Sequence, residues 1–231
     1  MISFKVFLLE AYAKAGFDYE VKIANILKKK GLMPKNAKTA GSSGSEADAT
    51  IKGCSLEIKL NKAAGFGQAE LKYVSKIVNK KEVGGWQFSP QTQKKYPATV
   101  KVLTDAGMLD RVKAEWGVPT GDYNTDLKAM GNKYIENLPT NTIAAHYAKD
   151  RKTPYIQIGG YGLYKLTSAD PCSLGVPVLK PTVYARARVK YRTNTSYGFL
   201  VMLGVRGIGA LSNYDIDSPH FPKSNPKNTI K

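Results

Sequence analysis

The sequence predicts an α/β fold of the α+β kind, a central mixed β-sheet flanked by helices. Three observations point there. Early in the chain Tyr19, Ile23, Ile26 and Leu27 recur at helical spacing. Residues 45–61, "SEADATIKGCSLEIKLN", alternate apolar and polar. Strand character returns late, in "PYIQIGGYGLYKL", "TVYARARVKYR" and "YGFLVMLGVRG". The chain has 231 residues, 42% of them hydrophobic, enough to bury a core.

Residues 4–14 read as a short helix that Gly16 interrupts. Asp18 is the expected N-cap of a second helix reaching about Lys30. Lys28, Lys29 and Lys30 suit the negative end of its dipole, and Gly31 stops it. "AGSSGSEA" reads as a loop, followed by strands near 47–52 and 54–61. "AAGFGQ" is expected to open a helix over 68–79. From 84 to 150 the chain turns rich in Gly, Pro, Asn and Thr, with helical patches. The reading is one domain, 1–231. Its core comes from 1–83 and 151–215, 84–150 forms a mostly helical insertion, and 216–231 is a frayed basic tail.

Composition narrows the chemistry. The only cysteines are Cys54 and Cys172, expected as two buried thiols. The only histidines are His146 and His220, far apart in sequence. A histidine-based metal site or a Ser-His-Asp hydrolase is therefore not expected, and chemistry falls to carboxylates, lysines or hydroxyls. Thirty-five Lys and Arg against 18 Asp and Glu give a formal charge of +17. Such an excess favours a polyanionic partner, nucleic acid first. No apolar run is long enough to span a bilayer, and the start lacks the layout of a signal peptide, so a cytoplasmic location and no membrane partner are expected.

The stretch at 45–61 carries the most information. With Lys52-Gly53 as a two-residue turn, Ile51 faces Cys54, Ala49 faces Leu56, and Ala47 faces Ile58. That face is apolar throughout. The other face pairs Thr50 with Ser55, Asp48 with Glu57, and Glu46 with Lys59. Two carboxylates opposed at ~5 Å repel by about 3 kcal/mol at an effective dielectric near ~20. A divalent cation would reverse that sign, and Mg²⁺ prefers oxygen ligands. Lys59 would lie beside it.

Asp48, then Glu57-Ile58-Lys59, resembles the core motif of the PD-(D/E)XK nuclease superfamily. The resemblance covers about residues 17–75 and implies a restriction-endonuclease-like core. It implies that Asp48 and Glu57 bind Mg²⁺, with Mn²⁺ able to substitute, and that Lys59 positions the attacking water. The family often adds a Glu on the preceding helix, here Glu20, which shares a face with Ala24 and Leu27. Some members place a Gln on the following helix, here Gln68. One branch adds a Tyr, but Tyr73 stands one residue beyond that spacing. Ala47 stands where the motif often has proline.

In 183–192, Arg186, Arg188, Lys190 and Arg192 line one face of a strand. This stripe, roughly 20 Å long, could follow a phosphate backbone, or it could be a charged edge strand. Lys62 joins the expected nucleic-acid contacts. Most of the 14 tyrosines are expected to be packing residues, and "GGYG" at 159–162 is expected to be a turn or bulge. The leading expectation is a Mg²⁺-dependent DNA endonuclease of phage or mobile-element origin, possible as a homodimer. It would act in host DNA degradation, homing or junction resolution. The alternatives are a non-catalytic nucleic-acid-binding protein and, more remotely, a structural RNA-binding protein.

Overall fold

The computed structural model describes residues 4–37, 47–62, 65–78, 81–130, 134–135, 143–193 and 196–221. The fold is α+β, with helices and two sheets, one mixed and one whose assigned ladders are antiparallel. The chain divides into two compact units. The first draws on Met1–Ala64, Arg151–Lys180 and Gly207–Lys231, and the second on Gly65–Asp150 and Pro181–Arg206.

In the first unit, α1 (Phe4–Lys29) packs on β1 (Ala49–Ile51) and β2 (Cys54–Lys59). It is one helix, not the two expected. A Cβ at Gly16 would meet nothing within 4 Å, so the glycine is a local cost that the helix absorbs. Tyr19, Ile23, Ala24 and Leu27 bury one stripe against Ala49, Ile51, Leu56 and Ile58. The hairpin register is the expected one, Ala49 opposite Leu56 and Ile51 opposite Cys54. Both turn residues take positive φ, Lys52 at 50° and Gly53 at 84°, the backbone of a tight hairpin whose twist matches its strands.

The sheet continues with β6 (Tyr155–Ile158), parallel to β2, and β7 (Gly162–Lys165), antiparallel to β6. "GGYG" is the turn between these last two. Gly159 is obligatory there, because a Cβ would lie 2.1 Å from the Leu60 carbonyl oxygen. The expected tail is packed as far as it is described. Ile216 and Phe221 are buried, and 222–231 lie outside the described residues.

The two cysteines are not thiols. Cys54 and Cys172 form a disulfide, their Cα atoms 6.2 Å apart. Cys172 sits in a loop tied down by Asp170, which accepts hydrogen bonds from the Leu174 and Gly175 amides and from the Tyr155 hydroxyl.

The second unit contains the elements expected as the insertion, but also long strands expected in the core. β3 (Gly67–Val78) is a strand, where a helix over 68–79 was expected. Its Gln, Ala, Glu, Leu and Lys favour helix, but Ala69 and Leu71 are buried while Gln68 and Lys72 are exposed, a period of two. It pairs with β4 (Lys81–Phe88) and β9 (Ser196–Gly207). The sheet order is β4-β3-β9-β8-β5, with β8 at Thr182–Thr193 and β5 at Tyr134–Ile135. Helices α2 (Pro90–Lys95), α3 (Pro97–Asp105), α4 (Met108–Trp116), α5 (Tyr123–Met130) and α6 (Ile143–Arg151) follow. Helices α3, α4 and α5 touch β3, β4 and β8, and Trp86 meets Trp116 edge-on at 6.1 Å. Asp150 caps α3, accepting from the Ala98 amide at 2.9 Å and the Thr99 amide at 2.7 Å.

The disulfide closes a sequence separation of 118 residues, and cross-links of that reach are worth up to roughly 4 kcal/mol. Reduction, or Cys172→Ser, is expected to lower the melting temperature by roughly 5–15 °C. Differential scanning fluorimetry with and without reductant, beside a free-thiol count, checks it. An unchanged Tm would mean the bond contributes nothing.

Candidate active site

Asp48 immediately precedes β1, and the register carries it opposite Glu57. Its side chain turns in toward β2, where Oδ2 accepts the Ile58 amide at 2.7 Å. The carboxylate thus stands in for the backbone carbonyl that β1 would have supplied. Glu57 is 1% exposed. Its Oε1 lies 2.5 Å from the Lys59 ammonium, i to i+2 along one strand face.

Glu20 comes from α1, at the edge of its buried stripe. Burial first, then the Asp48 charge, raise its pKa to about 7, with Lys59 opposing and Glu57 adding. Burial and the Glu57 charge raise Asp48 to about 6, against the pull of Lys59, the Ile58 amide and Arg151. Each acid feels the others, so the four side chains expected from the sequence do gather. Acids raised by burial and mutual repulsion are what a partly dry carboxylate cluster produces.

Arg151 was not foreseen. It ends α6, far from Asp48 in sequence, and no local pattern marks it. Gln157 is equally invisible in sequence. It is fully buried on β6, donating to Asp215 at 2.7 Å and accepting from the Ile216 amide at 3.3 Å. It braces the sheet beneath Tyr19, whose hydroxyl burial pushes up to about 12.

The other expected residues fall differently. Gln68 lies on β3 of the second unit, on a strand rather than the expected helix, with its side chain exposed. Tyr73, on the same strand, packs edge-on against Trp86 at 5.5 Å. Lys62 is exposed, its ammonium 5.9 Å from the centre of the Tyr161 ring. Arg186 and Arg188 are half-buried and Lys190 exposed on β8, while Val183, Ala185 and Val189 are buried on its reverse. The Arg192 side chain lies outside the described ones. β8 sits between β9 and β5, but the described β5 pairs with it only at Ala185 and Arg186. Arg188 donates to the Met202 sulfur at 3.0 Å, and burial with the neighbouring Arg186 charge lowers its pKa.

The donor set suits a hard cation: carboxylate oxygens, crowded and raised in pKa. Among the described residues no three acidic, histidine or cysteine side chains form a ready-made metal cage, and Lys59 takes up one Glu57 oxygen. Asp48 and Glu57 stand together at the hairpin, with Glu20 close enough to feel both. Comparison with protein-family models, curated proteins and solved structures gives no match for this chain.

Carboxylates raised in the fold bind protons more tightly folded than unfolded. Their stabilising contribution is full below about pH 4 and is lost as pH rises through about 6 for Asp48 and 7 for Glu20. Without metal, stability is expected to fall over that window by on the order of 1–3 kcal/mol, reduced because both groups keep some solvent contact. Asp48→Asn with Glu20→Gln should flatten the slope, and thermal melts from pH 4 to 8 in chelator would read it.

Proposed function

We propose that this chain is a Mg²⁺-dependent DNA endonuclease of the PD-(D/E)XK kind, hydrolysing phosphodiester bonds. The observation that carries the reading is the gathering of Asp48, Glu57, Glu20 and Lys59 at one hairpin. Asp48, Glu57 and Glu20 would hold Mg²⁺, or Mn²⁺ in its place. Bound there, such an ion supplies charge stabilisation at a phosphoryl oxygen and a more acidic water. Lys59 orients the attacking water through its ammonium. Burial and the Asp48 charge raise Glu20 to about 7 without metal, and a cation held there would favour its charged form. Arg151 adds positive charge beside Asp48. Arg186, Arg188 and Lys190, with Arg192 and Lys62, contribute phosphate contacts that position DNA without reading it.

Among the described residues no helix is long and apolar enough to cross a membrane. A phage or mobile-element role in DNA degradation, homing or junction resolution, and a homodimer where both strands are cut, belong to this proposal.

A second reading, a non-catalytic nucleic-acid-binding protein, rests on two observations. Asp48 already holds the Ile58 amide and Lys59 already neutralises Glu57, both structural roles. Supercoiled plasmid separates the two. The nuclease reading expects nicking or linearisation in Mg²⁺ that chelator stops. It expects Glu57→Gln, Lys59→Ala and Asp48→Asn each to lose at least about a hundredfold while still binding DNA. Asp48→Asn is the cleanest of these, since its amide oxygen can still accept from Ile58. Binding without cleavage in Mg²⁺ or Mn²⁺, on plasmid and on branched junctions, would establish the second reading.

A further inference from the structure

β3 and β4 outrun their sheet. Among the described residues β3 pairs with β9 over Gly67–Leu71 and with β4 over Leu71–Val78. Leu71 stands opposite Phe199, and β9 begins at Ser196, so it can accompany β3 no further than Val74. From Ser75 to its partner Gly84, the two strands run on as a two-stranded ribbon. At about 3.3 Å per residue, the part of β3 beyond the reach of β9, Ser75 to Val78, is about 10 Å long.

Its two faces differ. On one, Tyr73 lies over Gly84, where a Cβ would fall 2.2 Å from the Tyr73 hydroxyl, and packs against Trp86. That face clamps the ribbon's base to the sheet. The other carries Lys72, Val74 and Lys76, opposed by Gln87, Gly85 and Val83. Lys72, Lys76 and Gln87 are exposed, Val74 is 46% exposed and Val83 52%, while Ile77, on the Tyr73 face opposite Glu82, is 80% exposed. Half of the exposed large hydrophobics among the described residues thus lie on this one ribbon. Exposed apolar groups in such company mark a contact surface.

β4 is an edge strand, so a second copy of the chain is one conceivable occupant. Charge argues against it. A chain of net charge +17 opposes pairing with its own copy. Lys72 and Lys76 attract phosphate. A two-stranded ribbon is of a size that the major groove of B-form DNA, about 12 Å wide, admits.

We propose that the described parts of this ribbon, 72–78 and 81–87, form an arm that enters the major groove of duplex DNA. Lys72 and Lys76 contact phosphates, while Val74, Val83 and Gln87 face base edges. The ligand class rests on the DNA reading above, but the arm does not depend on the hydrolytic site.

The test uses the full chain in chelator, so that no cutting occurs, with fluorescence anisotropy on a labelled 30-mer duplex across a salt series. K72A/K76A should bind about tenfold or more weakly near 0.1 M salt. Its log–log salt slope should be shallower by about 1.8, or about 0.9 for each phosphate no longer neutralised. Both lysines are exposed, so the melting temperature should not move. V83D should weaken DNA binding while leaving the sedimentation coefficient unchanged. Double-stranded RNA, whose deep major groove is too narrow for side chains to read, should compete poorly.

Unchanged affinity and slope would overturn the arm. So would equal competition by RNA. A V83D protein that dissociates from dimer to monomer yet binds DNA normally would assign the ribbon to a second copy instead. A protein that binds through the ribbon but never cuts overturns the nuclease reading alone. One that cuts but ignores these substitutions overturns the arm alone.

Discussion

The Glu57–Lys59 ion pair is the constraint on which the first unit turns. A carboxylate 1% exposed carries a desolvation cost of several kcal/mol unless something matches its charge. Lys59 matches it at 2.5 Å from the same strand face, so neither partner depends on a distant element to stay paired. The reverse face of β2 is thereby left to Leu56 and Ile58, which pack under α1. One strand thus supplies a dry apolar face and a charged face. The parallel neighbour β6 fixes its position, pairing Glu57 with Ile156 and Lys59 with Ile158. The end of β2 is held as tightly, since Gly159 donates to the Lys59 carbonyl at 2.9 Å and tolerates no side chain.

The second unit applies the same period-two pattern to a different end. Its strands send Ala69, Leu71, Val201, Leu203, Val183 and Ala185 to the buried side. Gln68, Lys72 and Lys190 are left exposed on the alternate positions, with Arg186 and Arg188 half-buried. An edge strand can carry lysines simply to deter aggregation. On β8 the described pairing with β5 spans only Ala185 and Arg186. Arg188 is partly desolvated beside Arg186, and two guanidiniums so placed repel each other. An incoming phosphate would relieve that repulsion.

What was legible in the sequence is what local periodicity encodes. The hairpin register followed from alternation plus one Lys-Gly turn, while Glu20 was picked out by the family resemblance and helical spacing only placed it on its face. β3 was misread because its composition favours helix while its pairing partners, contributed by separate strands, enforce an extended backbone. Gly16 was misread as a break because propensity is a weak prior where tertiary packing holds the rest of the helix. Arg151, Gln157 and the Cys54–Cys172 bond were beyond local pattern altogether. Each depends on a contact between segments that only the folded sheet brings together. The site's acids and lysine were therefore readable, but the basic residue beside them and the polar brace beneath them were not.

Asp48 decides how much weight the charge itself should carry. Its structural task is to accept the Ile58 amide where β1 ends. A neutral oxygen, from Asn or Ser, can accept that hydrogen bond without facing Glu57. An aspartate there accepts it against burial and like-charge repulsion, which together raise its pKa to about 6. Glu20 repeats the penalty from a second element, where a neutral residue would pack with no electrostatic opposition. Folding alone gains nothing from two such penalties converging on a hairpin that also buries Glu57. Binding a cation does, because bringing a positive charge to that point turns repulsion among the carboxylates into shared attraction. The electrostatic cost thus falls where Asp48, Glu57 and Glu20 converge, and that is the place where the proposed cation would offset it.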